Sequence, residues 1–192
     1  MLVDNVSSRY QFDPSLFGVQ RKEKVQKDIE IPQTEAVNST STPTFVLHST
    51  SPDASEKLVS AWASNDGNSI SIFRPADFDP EHPIYRAKIW DASGNVTERE
   101  IDITQINPQS SDKVEMFAYS SHLSDTGQCS NAQLRFMMAC ETAAANANNE
   151  GELALTQKVD WKAAVAELME RQREVGNMES YLACEDFLSY LS

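Results

Sequence analysis

The loop PADFDPEHP, between two predicted strands, is the first place in the sequence where residue types and spacing suggest chemistry. Within six positions it supplies four oxygen or nitrogen ligands for a cation: Asp77, Asp79, Glu81 and His82. Known calcium loops need a glycine that lets the chain wrap round the ion, whereas this loop has three prolines and no glycine. The loop is therefore a candidate metal site, and a proline-stiffened approach to the next strand is the competing interpretation.

A second constellation lies in SHLSDTGQCS, which contains His122, Asp125 and Cys129. A cysteine nucleophile needs a histidine within hydrogen-bond reach and a third group to orient the imidazole. Proximity in sequence supplies none of these distances, and free cysteines are usually small buried apolar groups. The sequence contains no GxSxG, HExxH or glycine-rich phosphate motif, so we predict no cofactor.

Apolar side chains in the N-terminal segment are the candidate partner-binding residues. Residues 1–43 are polar and end in NSTSTP, which predicts a disordered or loosely docked tail. Within that tail, RYQFDPSLFGVQ carries four such residues: Tyr10, Phe12, Leu16 and Phe17. The segment is either a short binding motif for another protein or an intramolecular strap.

Charge and cysteine usage limit the partners and the compartment. The formal net charge is −13, and residues 44–192 carry 11 Lys and Arg against 23 Asp and Glu. Such an acidic body repels phosphate backbones, so we do not expect nucleic acid as a partner. No stretch is long and apolar enough for membrane insertion, and three unpatterned cysteines favour a reducing compartment. We therefore expect a soluble, cytoplasmic protein.

The acidic loop leads into a predicted hairpin, from Ile84 to Ile103. With Ala92-Ser93-Gly94 as its turn, the register places opposite charges across one face and apolar residues across the other. The predicted pairs are Trp90–Val96, Lys88–Glu98, Arg86–Glu100 and Ile84–Asp102 on a solvated face, and Ile89–Thr97, Ala87–Arg99 and Tyr85–Ile101 on the core face. Arg99 is the exception on the core face, and it must reach the sheet edge or a carboxylate of the helical half.

The segments before the hairpin predict two strands and one helix. Thr44–His48 (TFVLH) and Ser69–Phe73 (SISIF) have strand composition. Between them, Ser51 followed by proline predicts a helix through Leu58 and Trp62 that ends near residues 65–67.

After the hairpin the apolar period changes from 2 to 3.6, which predicts four helices. Asp112 with Glu115, Ser130 with Gln133, Asp160 and Asn177 are the expected caps, and residues 144–152 are an expected loop. Gly176 ends the third helix in a left-handed conformation and makes a helical hairpin. Its two helices carry their apolar residues on the faces expected to be buried: Trp161, Val165, Leu168, Met169 and Val175, then Met178, Tyr181, Leu182, Phe187, Leu188 and Leu191.

Together these elements predict one α+β domain over residues 44–192. It consists of a small antiparallel sheet with a central β-hairpin (84–103) packed against about four helices, and it ends in a C-terminal helical hairpin.

The blocks FRPADFDPEHPIYRAKIWDASGNVTERE and VDWKAAVAELMERQREVGNMESYLACEDFLSYL resemble an uncharacterised family of small proteins from clostridial-type anaerobic bacteria, over about residues 69–192. The resemblance implies a bacterial protein whose body is a unit behind a variable N-terminal segment. It implies no activity, cofactor or site residue.

These observations favour a non-catalytic protein-interaction or adaptor-type protein. The alternative is a small hydrolase or cation-binding enzyme that uses a cleft near His122 and Cys129 or the Asp77–His82 loop. The sequence leaves the oligomeric state and the identity of any partner open.

Overall fold

A computed structural model describes residues 55–64, 67–147 and 153–192, all within one compact unit, Ser41–Ser192. The described part is an α+β fold, as the sequence predicts. Its elements, in chain order, are β1 (Lys57–Ala63), β2 (Ser69–Arg74), β3 (Ile84–Trp90), β4 (Val96–Asp102), a short 3-10 turn (Ile103–Gln105), α1 (Lys113–Asp125), α2 (Ala132–Asn146), α3 (Trp161–Glu174) and α4 (Met178–Ser189). The predicted tail and the predicted strand at Thr44–His48 lie outside the described residues.

The four strands form an antiparallel meander in the order β1-β2-β3-β4. Helix α1 contacts β1, β2 and β3, α2 packs on α1, α3 on α2, and α4 on α3. The predicted C-terminal helical hairpin is therefore present as α3 and α4.

The hairpin of β3 and β4 has the predicted register at all seven pairs. In its turn, Gly94 has a φ of 82°, and its N–H donates to the Asp91 carbonyl oxygen at 2.9 Å. The Asp91 carboxylate accepts from the backbone N–H groups of Ser93 at 2.8 Å and Asn95 at 2.9 Å. Local turn chemistry therefore determines the register.

The core lies between the sheet and α1 and continues through the helical stack. Ile70, Ile72 and Tyr85 are fully buried on the sheet side, and Trp161 is fully buried among the helices. The Trp161 indole meets the ring of Phe136 edge-on, with the ring centroids 5.0 Å apart. Its Nε1 donates to the Ser111 carbonyl oxygen at 2.9 Å, so the indole N–H is satisfied inside the core.

The predicted helix through Leu58 and Trp62 is wrong, because Lys57–Ala63 is the edge strand β1. Pairing with β2 supplies hydrogen bonds along the segment, and a β-bulge lies between Leu58 and Ser60. Trp62 packs against the core, and the Lys113 ammonium lies 3.7 Å from the centre of its ring. Tertiary pairing has therefore overridden a local helix-start signal.

The prediction that the outer face of the hairpin is solvated is only partly right. Val96 and Ile84 are exposed, but Lys88 is 3% exposed and Trp90 is 8% exposed. The Glu56 carboxylate explains the difference for the charged residue. It bonds Lys88 Nζ at 3.2 Å and also the guanidinium of Arg86. Arg86 therefore lies opposite Glu100 in the strand register, as predicted, but forms its ion pair with Glu56.

The helix caps are confirmed at α1, α3 and α4, where Asp112, Asp160 and Asn177 accept from backbone N–H groups of the first turn. The cap predicted at Ser130 is wrong, since α2 begins after Asn131 without a side-chain cap. Its expected partner, Gln133, instead donates to the Ser121 hydroxyl at 3.2 Å.

Helix α2 continues to Asn146, three residues into the predicted loop. None of the helices in the described ranges is both long enough and apolar enough to cross a bilayer.

Candidate functional site

A cluster of polar side chains lies where the sheet meets the end of α1. Arg74, at the end of β2, forms an ion pair with Asp125, at the end of α1, and Lys57 Nζ approaches the same carboxylate at 3.2 Å. The Arg74 guanidinium also lies over the ring of Phe78, 4.8 Å from its centre. Asp125 Oδ2 is buried and faces Arg74 as a charge rather than through an aligned hydrogen bond. The cluster therefore holds positive and negative charge together where Arg74 and Asp125 are largely shielded from solvent.

His122 lies one helical turn before Asp125 and belongs to the same cluster. Its Nδ1 is 3.1 Å from the Tyr85 hydroxyl, and the two rings meet edge-on. Burial lowers the pKa of His122, and the nearby Arg74 charge lowers it further. Burial likewise raises the pKa of Tyr85, although the Arg74 guanidinium opposes that shift. The pair is therefore neutral at neutral pH.

Cys129 follows the helix end and faces another element. Its Sγ lies 3.4 Å from Asp186 Oδ2 on α4. Burial and the neighbouring carboxylate raise the pKa of Cys129 to about 11, so the thiolate is scarce at neutral pH. The three candidates thus take three different partners: Tyr85 for His122, Arg74 for Asp125 and Asp186 for Cys129. The described geometry holds no Cys–His pair.

The Asp77–His82 loop folds as a tight, exposed turn. Asp79 Oδ1 accepts from the Glu81 N–H at 2.9 Å, and Asp79 Oδ2 lies 3.2 Å from His82 Nδ1. These two contacts lower the pKa of Asp79, the Glu81 N–H having the larger effect. A hollow of ≈360 Å³ beside the loop also includes Phe78 and Glu100. Nowhere in the described ranges do three His, Cys, Asp or Glu side chains come together as a metal would need.

Arg99, the exception on the core face of the hairpin, meets carboxylates of α1. Its Nη1 donates to Asp112 Oδ2 at 2.6 Å, and its Nη2 bonds Glu115. Lys158 Nζ completes the network with a 2.6 Å bond to Glu115 Oε2. Asp112 and Glu115 also form the reciprocal capping box of α1, so one network caps the helix and ties it to the sheet.

The corner between α3 and α4 exposes three apolar side chains that sequence patterning placed in the core. Val175 is 75% exposed, Met178 52% and Leu182 56%. We call this set the α3–α4 corner. The buried residues of α4 are Ser180, Cys184 and Phe187, with the spacing 4 and 3, and Leu191 just beyond the helix continues the stripe. Helical geometry puts Met178 and Leu182 opposite that stripe, and this was the signal available in the sequence.

The tail candidates Tyr10, Phe12, Leu16 and Phe17 lie outside the described residues, so their role as partner-binding residues stays a prediction.

Comparisons of the chain with protein-family models, with curated proteins and with solved structures gave no match.

Proposed function

We propose that this chain is a non-catalytic protein-interaction or adaptor-type protein, and that the α3–α4 corner is a binding surface. The observation that carries the proposal is the exposure of Val175 and Met178, at the turn between α3 and α4, and of Leu182, one helical turn further along α4. Contiguous exposed apolar residues rimmed by polar ones are typical of interaction sites.

The corner is held in a fixed conformation, which suits a recognition surface. Gly176 has a φ of 72°, and its N–H donates to the Arg173 carbonyl oxygen at 3.1 Å. The next N–H, of Asn177, donates to the Gln172 carbonyl oxygen at 2.9 Å, and the Asn177 side chain caps α4. A partner would therefore meet apolar groups that need little further ordering.

Charge around the corner indicates the chemistry of the partner. Helix α4 (MESYLACEDFLS) contains three acidic residues and no Lys or Arg. Arg171 and Arg173, at the end of α3, are engaged by Glu167 and Glu170. The complementary partner is an amphipathic segment whose apolar residues are flanked by Lys or Arg.

Two synthetic helical peptides with the same leucine pattern, one flanked by lysines and one by glutamates, test the proposal by fluorescence anisotropy. We expect the lysine peptide to bind and the M178S/L182S double variant to bind it about tenfold more weakly, because apolar burial is lost. Leu134→Ser is the matched control, since Leu134 is 53% exposed on α2.

Three results would count against the corner: equal binding of both peptides, no binding of either, or an equal loss in the Leu134→Ser control. Concentration-dependent dimers in sedimentation that the double variant abolishes would make the corner a self-association surface instead.

We also infer a bacterial, cytoplasmic setting. The resemblance to the clostridial-type family supports the first part, and the three free, buried cysteines support a reducing compartment. Protease treatment of intact clostridial cells that express the chain, followed by cell fractionation, would test the cytoplasmic setting.

A further inference from the structure

A groove on the far side of His122 carries an inference separate from the α3–α4 corner. The groove has a volume of ≈410 Å³ and is lined by the loop before β3, the 3-10 turn, α1 and the residues that follow α4. Its walls include Tyr119, Tyr190 and Ile106, and His122 lines it together with them. A volume of this size lies in the range of small-molecule sites.

His122 is 9% exposed, and one of its two ring nitrogens is available to a ligand. Its Nδ1 is taken by the Tyr85 hydroxyl at 3.1 Å. Within the described part of the chain, Nε2 has no hydrogen-bond partner, and it is not among the buried unpartnered atoms. Since the ring lines the groove, Nε2 is the ring nitrogen left to face it.

The hydrogen bond with Tyr85 indicates which His122 nitrogen carries the proton. A phenol hydroxyl is a good hydrogen-bond donor and a weak acceptor, whereas the unprotonated nitrogen of an imidazole is a strong acceptor. The 3.1 Å contact is therefore assigned as Tyr85 O–H donating to His122 Nδ1, which is then the unprotonated nitrogen of a neutral ring. Nε2 therefore carries the hydrogen and offers the groove a donor.

The walls define the rest of the ligand. The Tyr119 hydroxyl donates to the Tyr190 carbonyl oxygen at 2.6 Å, and the Tyr190 hydroxyl donates to the Gln128 carbonyl oxygen at 2.8 Å. These bonds hold both rings in place as flat apolar walls. Glu81 is the one charged side chain among the described residues lining the groove, and it disfavours an anion.

We propose that this groove binds a small uncharged molecule that presents a carbonyl oxygen to His122 Nε2–H and an apolar ring to the Tyr119–Tyr190 wall. The structure thus assigns His122 a ligand-binding role without a nucleophile beside it.

The tautomer is tested first, on the full chain, by long-range proton–nitrogen NMR of the imidazoles. The sequence has three histidines, so their signals are separable with His82→Phe and His122→Phe as assignment variants. We expect His122 to show a protonated Nε2 and an unprotonated Nδ1 at neutral pH. The opposite tautomer would present an acceptor to the groove and would overturn the proposed ligand class.

Binding is then tested with benzamide and benzamidine at millimolar concentrations, followed by NMR shifts. The two probes have the same ring and nearly the same shape, but only benzamide has a carbonyl acceptor. We expect benzamide to shift the signals of His122, Ile106 and Tyr190, and benzamidine to leave them in place. Binding of benzamidine alone, or of both probes equally, would overturn the proposal.

Two variants connect the shifts to the groove. His122→Phe should weaken benzamide binding about three- to tenfold, the loss expected for one uncharged hydrogen bond. Gln128→Trp places a large side chain at an exposed rim position and should abolish binding even if His122→Phe fails to fold. His82→Phe is the matched control, because His82 is exposed and lies outside this groove. Unchanged binding in Gln128→Trp would overturn the site.

Discussion

At the scale of single residues, the main feature of the structure is that partly buried charged side chains form ion pairs between distant elements. Arg99 points toward the core from β4 and forms ion pairs with Asp112, the N-cap of α1, and with Glu115 in the first turn of that helix. The side chain of Asp112 is 5% exposed, so stabilisation of its charge depends on Arg99 more than that of a surface carboxylate depends on its partner.

Replacing Arg99 with methionine should therefore destabilise the fold. Methionine keeps most of the apolar stem but leaves the buried Asp112 carboxylate without its closest cation. We expect a loss of about 1–3 kcal/mol in the free energy of unfolding, measured by urea denaturation. The control is Arg171→Met, which breaks an exposed pair with Glu167 and should cost about 0.5 kcal/mol or less. Equal losses in the two variants would contradict the role given to Asp112.

His122 makes stability depend on pH in a defined direction. Burial lowers its pKa in the folded state below the ordinary value of 6.5, so the unfolded chain takes up the proton more readily. Stability contributed by the neutral ring is present above the ordinary pKa and is lost as pH falls toward the folded-state pKa. Urea unfolding at about pH 7.5 and about pH 5.5 brackets that window.

We expect His122→Asn to reduce the loss of stability between these two pH values, whereas His82→Asn should leave it unchanged. His82 is the comparison because its side chain is 77% exposed. A larger pH effect of the His82 substitution would show that His122 is not the titrating group.

At the scale of elements, most predictions based on neighbouring residues were confirmed, the cap at Ser130 being an exception, whereas the prediction for residues 57–63 was overturned by a distant strand. The hairpin turn and the caps at Asp112, Asp160 and Asn177 all formed as predicted, because each joins groups a few residues apart. Residues 57–63 became a strand because β2 supplies the hydrogen bonds, and nothing within the segment reports that neighbour.

The turn between α3 and α4 gives the element-scale prediction. Gly176 has a φ of 72°, and a Cβ added there would meet nothing within 4 Å. The cost of Gly176→Ala is therefore backbone strain alone, about 1–2 kcal/mol of unfolding free energy. Gly176→Asn should cost less, since asparagine tolerates the left-handed conformation. Thermal and urea unfolding measure both variants, and an alanine variant as stable as wild type would refute the strain.

At the scale of the whole molecule, the helices stack on one another in chain order and enclose all three cysteines. Cys129 is 1% exposed, Cys140 8% and Cys184 0%. Burial raises the pKa of Cys184, as it does that of Cys129, so neither thiol reacts readily in the folded state.

Cysteine alkylation should therefore report unfolding of the stack. With iodoacetamide at neutral pH, we expect labelling far slower than that of a free thiol, and a sharp increase at the urea concentration where circular dichroism reports unfolding. Mass spectrometry of the labelled peptides identifies each site. Fast labelling of Cys129 in the native protein would contradict its raised pKa and would restore a reactive thiol to the enzyme hypothesis.

The sequence by itself determined the fold class, the hairpin register, most helix starts and the anomaly at Arg99. These features follow from periodicity and from contacts between neighbouring residues, and such information is local. It also named His122, Asp125 and Cys129, but nearness along the chain does not say which way side chains point.

Only the tertiary structure decided the partners. In the folded protein the three residues contact Tyr85, Arg74 and Asp186, respectively. Met178 and Leu182 face solvent, although both are as apolar as a core residue. The physical reason is that a side chain's environment is set by elements far away in sequence, whose docking depends on the summed burial of many residues.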